Sequence, residues 1–83
     1  MEIEVKLFAI FHRYLPKGSG PYSCKLKVEV ESRVEDILNN LGLPKEMPKI
    51  LLLNGIQCKP ESKLREGDVL SIFPPLGGGA ERR

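Results

Sequence analysis

Two adjacent prolines, Pro74 and Pro75, limit what this chain can fold into. They follow the apolar stretch Val69–Phe73 and precede Leu76 and the glycines Gly77, Gly78 and Gly79. Proline fixes φ and lacks a backbone donor, so a strand over Val69–Phe73 has to stop there. The glycines have no side chain to bury and lose the most freedom on ordering. The expected division is a folded body over residues 1–76 and a flexible glycine-rich tail over residues 77–83. An extended chain from Pro74 to Gly79 reaches roughly 20 Å, long enough to thread a narrow channel whose tightest part admits only glycine. A tail that merely frays into solvent is the plain alternative.

The body opens on a strict alternation. Ile3, Val5, Leu7, Ala9 and Phe11 share one face of a strand predicted over residues 2–11, and Glu2, Glu4, Lys6, Phe8 and Ile10 share the other. Residues 12–23 hold two prolines and two glycines and read as a loop. Alternation returns over residues 24–31, with Leu26, Val28 and Val30 inward and Lys25, Lys27, Glu29 and Glu31 outward, which suggests an antiparallel hairpin with the first strand. Ser32 and Glu35 have capping-box spacing. Val34, Ile37, Leu38 and Leu41 then form one helical stripe, and Gly42 is the expected stop. Ile50–Leu53 is a continuous apolar run consistent with a buried strand, Asn54-Gly55 marks a hairpin turn, and Ile56–Cys58 returns. Leu64 is expected to tuck in before the last strand, in which Leu70 and Ile72 face inward.

The order β-β-α-β-β-β predicts a two-layer α+β domain, a mixed sheet of about five strands with one main helix across it. The long apolar faces of the first and last strands place both near the sheet centre, and a ubiquitin-like β-grasp is the arrangement that sets them side by side there. Phe8 and Ile10 fall on the outer face by alternation, and Phe73 is out of phase with Leu70 and Ile72. These three residues are expected to form an apolar partner-docking patch at the root of the tail.

At 83 residues and a net charge of +2 with interspersed signs, the chain is one small domain without the clustered cations of a nucleic-acid binder. Cys24, Cys58 and the single His12 lack metal-ligand spacing, so no metal site is expected. Gly77–Gly79 is no phosphate loop, because no Lys-Ser/Thr pair or helix follows it. No signal-peptide order opens the chain and no apolar run is long enough for a membrane span, so the expected location is cytoplasmic, with reduced thiols.

Lys6-Leu7-Phe8-Ala9 with Arg13, Leu53-Asn54-Gly55, Leu64-x-x-Gly67-Asp68-x-Leu70 and Phe73-Pro74-Pro75-Leu76-Gly77-Gly78-Gly79 together resemble the ubiquitin-like sulfur carriers of the MoaD/ThiS type. The Phe-Pro-Pro…Gly-Gly ending is similar to that of the small subunit of molybdopterin synthase. The resemblance implies a β-grasp carrier rather than a catalyst. It makes Gly79, beside Gly78, the residue adenylated and then converted to a thiocarboxylate. Pro74, Pro75, Leu76 and Gly77 would thread into the partner. It implies an E1-like adenylating enzyme that uses ATP, a molybdopterin synthase large subunit as sulfur acceptor, and no permanently bound cofactor. Members usually stop at the Gly-Gly pair, whereas Ala80-Glu81-Arg82-Arg83 follow here, so a processing protease is also expected. Two alternatives stay open: a ubiquitin-like modifier joined to proteins through Gly79, and a non-covalent β-grasp interaction module.

Overall fold

The computed structural model describes residues 1–75, and its central feature is the pairing of the first strand with the last. β1 (Glu2–Leu7) runs parallel to β5 (Val69–Phe73), with Glu4 opposite Val69 and Leu7 opposite Ile72. β2 (Ser23–Lys27) lies antiparallel on the other side of β1, and β3 (Ile50–Leu53) lies antiparallel on the other side of β5. The two-residue β4 (Ile56–Gln57) completes the sheet order β2-β1-β5-β3-β4. Helix α1 (Val34–Leu41) supplies Val34 and Ile37 to the core. There they join Ile3, Val5 and Leu7 of β1, Leu51 of β3, and Leu70 and Ile72 of β5. This is the ubiquitin-like β-grasp expected from the order of elements, with Leu64 buried as expected.

Several local expectations are corrected. β1 ends at Leu7. Phe8 is still extended, but Ala9 takes a positive φ of 54° and starts a 3-10 helix over Ala9–Tyr14. Phe11 is buried as expected, yet it enters the core from that helix, while Ala9, assigned inward by alternation, is exposed. The loop expected over residues 12–23 therefore begins in helix. β2 in turn stops at Lys27, and the chain then turns, with Glu31 at φ 76°. Val28 packs against the core, but Val30 is 71% exposed, not inward.

The helix start differs as well. The Ser32 hydroxyl donates to the Glu29 carbonyl at 2.6 Å instead of capping α1. Asp36 accepts the Arg33 backbone N–H at 2.8 Å, so the reciprocal carboxylate contact sits one residue later than predicted. The first-turn N–H groups of Val34 and Glu35 donate to the carbonyls of Ser62 and Pro60. A loop thus satisfies donors that a local cap would otherwise hold. At the other end Gly42, at φ 81°, stops the helix as expected, and the Leu43 N–H returns to the Leu38 carbonyl at 3.0 Å.

The apolar run of β3 is not buried on both faces. Register places Leu51 and Leu53 toward the helix side, opposite Ile72 and Leu70, while Ile50 and Leu52 stand opposite Phe73 and Ser71 on the open side. Asn54 and Gly55 turn the hairpin with φ of 52° and 83°. The Asn54 amide also donates to Asp68 and accepts the Val69 N–H, both at 2.9 Å, and so fixes the entry of β5.

Two substitutions separate the core face of α1 from its flank. Ile37 is 1% exposed, so Ile37→Ala should cost about 2–5 kcal/mol. Leu38 is only partly buried, and Leu38→Ala should cost less than about 2 kcal/mol. Urea unfolding of both variants with an unchanged m-value checks the ranking.

Candidate functional site

Where β5 ends, the sheet presents one apolar row on its open side. The parallel ladder continues one residue beyond β1, since the Phe8 N–H donates to the Ile72 carbonyl at 3.1 Å. This sets Phe8 beside Phe73. Their rings stack with centroids 4.5 Å apart and planes within 5°. Leu7 N–H donates to the Tyr22 carbonyl at 2.8 Å, which brings Tyr22 to the other side of Phe8, with ring centroids 5.5 Å apart. Ile50 lies opposite Phe73 across the β3–β5 ladder. Tyr22, Phe8, Phe73 and Ile50 thus cross the end of the sheet in one line, at the point where Pro74 begins.

Phe8 and Phe73 meet as the sequence predicted. Ile10 does not lie in their row: the chain leaves the sheet after Phe8, and Ile10 sits on the 3-10 helix, 58% exposed. Tyr22 and Ile50 were missed. Tyr22 fell inside a stretch read as loop, and Ile50 inside a run read as wholly buried. Pairing Phe73 with the start of β3 is the signal that would have found Ile50. Pro74 and Pro75 continue directly from β5 without strand structure. Leu76, Gly77, Gly78 and Gly79, with Ala80, Glu81, Arg82 and Arg83, lie outside the described residues, and so does the boundary expected after residue 76.

The remaining chemistry-bearing groups do not converge on this row. Burial pushes the Cys58 thiol up, and it pushes Cys24 up against the opposing hydrogen bond from Ser19. His12 meets the Pro21 carbonyl through Nε2. Among the described residues no three His, Cys, Asp or Glu side chains cluster closely enough to hold a metal ion, and no helix is long and apolar enough to cross a membrane.

Two measurements test this description. A double-mutant cycle on Phe8→Ala and Phe73→Ala should give a coupling of about 0.5–1.5 kcal/mol, as for a stacked aromatic pair. Both thiols should stay protonated to higher pH in the folded protein than in the unfolded chain, because their folded pKa values are raised. Iodoacetamide alkylation followed against pH should therefore show its midpoint fall when the protein is denatured.

The geometry has known counterparts. No curated protein is significantly similar in sequence. Among solved structures, SAMP1 of Haloferax volcanii is 25% identical, with 95% of this chain and 100% of that one covered at a TM-score of 0.73. The Haloferax volcanii protein HVO 2177 is 29% identical over 95% of this chain and 87% of its own, with a TM-score of 0.75. A putative molybdopterin converting factor, subunit 1, from Pyrococcus furiosus shares the fold at 22% identity, covering 90% and 98%, with a TM-score of 0.72. The sequence pattern of the ThiS family matches residues 5–79, from the second inward residue of β1 to the last glycine of the tail. This chain belongs to the ThiS family, with the ubiquitin-like sulfur-carrier fold of ThiS and MoaD proteins.

Proposed function

We propose that this protein is a sulfur carrier whose Gly79, once its carboxylate is free, is adenylated and converted to a thiocarboxylate. The supporting observation is where the central strand delivers the tail. β5 is held on both sides, by β1 and by β3, up to the aromatic row, and Pro74-Pro75 follow it directly without strand structure. The family match ends at the same glycine, Gly79. A rigid body with a slim arm contributes position, and the catalytic groups belong to partners.

The chemistry follows from the carboxylate. An unactivated carboxylate is a poor electrophile. Attack of the Gly79 carboxylate on the α-phosphate of ATP, with pyrophosphate leaving, gives the acyl-adenylate. Sulfur at the sulfide level then attacks the carbonyl carbon; a C–S bond forms, the C–O bond to AMP breaks, and the thiocarboxylate remains. ATP is consumed by an adenylating partner, and no cofactor stays on this chain. The Phe-Pro-Pro-x-x-Gly-Gly ending favours a pterin precursor in the large subunit of a molybdopterin synthase as the sulfur acceptor. The row of Tyr22, Phe8, Phe73 and Ile50 is the surface that meets these partners. The peptide bond to Ala80 withholds the Gly79 carboxylate, so hydrolysis after Gly79 precedes activation. A channel sized for glycine would also have to desolvate Glu81, Arg82 and Arg83.

A second reading rests on one observation, the similarity to a protein described as small archaeal modifier protein 1. In this reading a lysine amine attacks the carbonyl carbon of the Gly79 acyl-adenylate; an isopeptide C–N bond forms, the C–O bond to AMP breaks, and the amine gives up a proton.

Two forms are compared with an adenylating enzyme and ATP. The chain ended at Gly79 should form the acyl-adenylate, and the intact 83-residue chain should not. Equal activation of the intact chain overturns the role of Gly79. Mass analysis of the protein from its own cells should then show a chain ending at Gly79 with one oxygen exchanged for sulfur. Conjugates to lysine without that exchange select the modifier. Phe73→Arg should keep the fold and weaken binding to the adenylating enzyme by calorimetry; unchanged affinity removes the aromatic row from the interface.

A further inference from the structure

On the helix side of the sheet, away from the aromatic row, a groove of about 470 Å³ runs between α1 and the β3–β4 hairpin. Its floor is apolar: Leu38 from α1, Leu43 from the connector, Leu51 from β3, and Cys58. Leu43 and Leu51 are core residues, 5% and 6% exposed, so the groove reaches down to the core instead of lying on polar surface. Cys58 adds to the apolar floor, since burial holds it as the neutral thiol.

The rim has the opposite character. Lys45, Lys49 and Lys59 line it, with Glu35 as the one carboxylate among its lining residues. Lys49 is anchored, its ammonium donating to the carbonyls of Pro44 and Met47, which places a fixed positive charge there. Among the described residues the one ion pair is Lys63 with Glu31, so none of the three rim lysines is paired with a carboxylate. A net positive rim around an apolar floor complements a ligand with an apolar anchor and flanking negative charges. The volume lies within the usual range of ligand sites and suits one or two inserted side chains of a peptide segment.

We propose that this groove binds an acidic peptide segment of a partner protein, with a large apolar side chain over Leu38, Leu51 and Cys58 and carboxylates facing Lys45 and Lys59. The site is separate from the aromatic row and independent of the chemistry at Gly79. A partner held here would leave the open side of the sheet and the root of the tail uncovered.

The test is amide-shift titration of the full-length ¹⁵N-labelled protein with the synthetic peptide acetyl-DELFED-amide. Saturating shifts should centre on Leu38, Leu51 and Cys58. The K45E/K59E variant, altered at two exposed positions, should keep its dispersed spectrum and lose about tenfold or more in affinity. Added salt should weaken binding, and acetyl-KKLFKK-amide should not bind. Several results overturn the proposal: no groove shifts, shifts centred on Phe8 and Phe73, or an equal response to the basic peptide. It is also overturned if the groove shifts track protein concentration without peptide, which assigns the face to a second copy. Truncation after Pro75 that alters the groove shifts assigns it to the chain's own tail, and tighter binding of octanoate than of the peptide assigns it to a small amphiphile.

Discussion

The structure depends on β5 lying between β1 and β3. The inward side chains of this strand, Leu70 and Ile72, are fully buried and meet the helix layer. Its backbone is paired along both edges. A last strand placed at the sheet edge would leave a row of donors and acceptors open and half of its apolar surface uncovered. Placed at the centre, it makes the order of folding matter. The parallel partner of β1 is separated from it by nearly the whole chain, and contacts this distant in sequence form only after a costly loop closure. Hydrogen bonds at the start of β5 secure the closed arrangement: Asn54 and Asp68 hold the entry of β5 against the β3–β4 hairpin, and Glu4 N–H reaches the Asp68 carbonyl at 2.9 Å.

Much of this was legible because periodicity and turn chemistry agree with the fold. The strand over Val69–Phe73, the Asn54-Gly55 turn, the helix ending at Gly42 and the burial of Leu64 all follow from local rules that tertiary structure leaves intact. The misreadings share a different cause. Phe11 lies two positions beyond Ala9 and so continues a strand pattern, yet it is buried through helical geometry. Alternation cannot distinguish the two when the apolar residue falls where both would put it. The Ser32–Glu35 spacing offered a cap, but the carbonyls of Pro60 and Ser62 took the donors, which no local rule can foresee. Ile50 and Leu52 were read as interior because an apolar run says nothing about which face is covered. In the candidate site, the meeting of Phe8 and Phe73 followed from phase once the first and last strands were taken as neighbours, and the stacking itself is seen in the structure. The places of Tyr22 and Ile50 needed the register between strands remote in sequence.

Charge plays a small part in holding the molecule together. Lys63 and Glu31 are both exposed, and their pairing lowers the Glu31 carboxyl below its usual range mainly through the hydrogen bond. An exposed pair of this kind adds little to stability. The core is an aliphatic layer with Phe11 as its one aromatic residue, and the other two phenylalanines, Phe8 and Phe73, are spent on the open side of the sheet. In so small a domain that is a notable allocation of apolar area, since every buried ring carries weight in the core.

The parallel pairing of β1 with β5 also has a mechanical meaning. Parallel strands begin at the same end of the sheet, so the chain enters β1 at the end opposite to the one where it leaves β5. A pull on the segment beyond Pro75 against the amino terminus would therefore slide β5 along β1 and load their hydrogen bonds in shear. The bonds of the ladder would share that load and fail together, not open one at a time from an end. A body built in this way keeps its central strands in register under a load applied between its two ends.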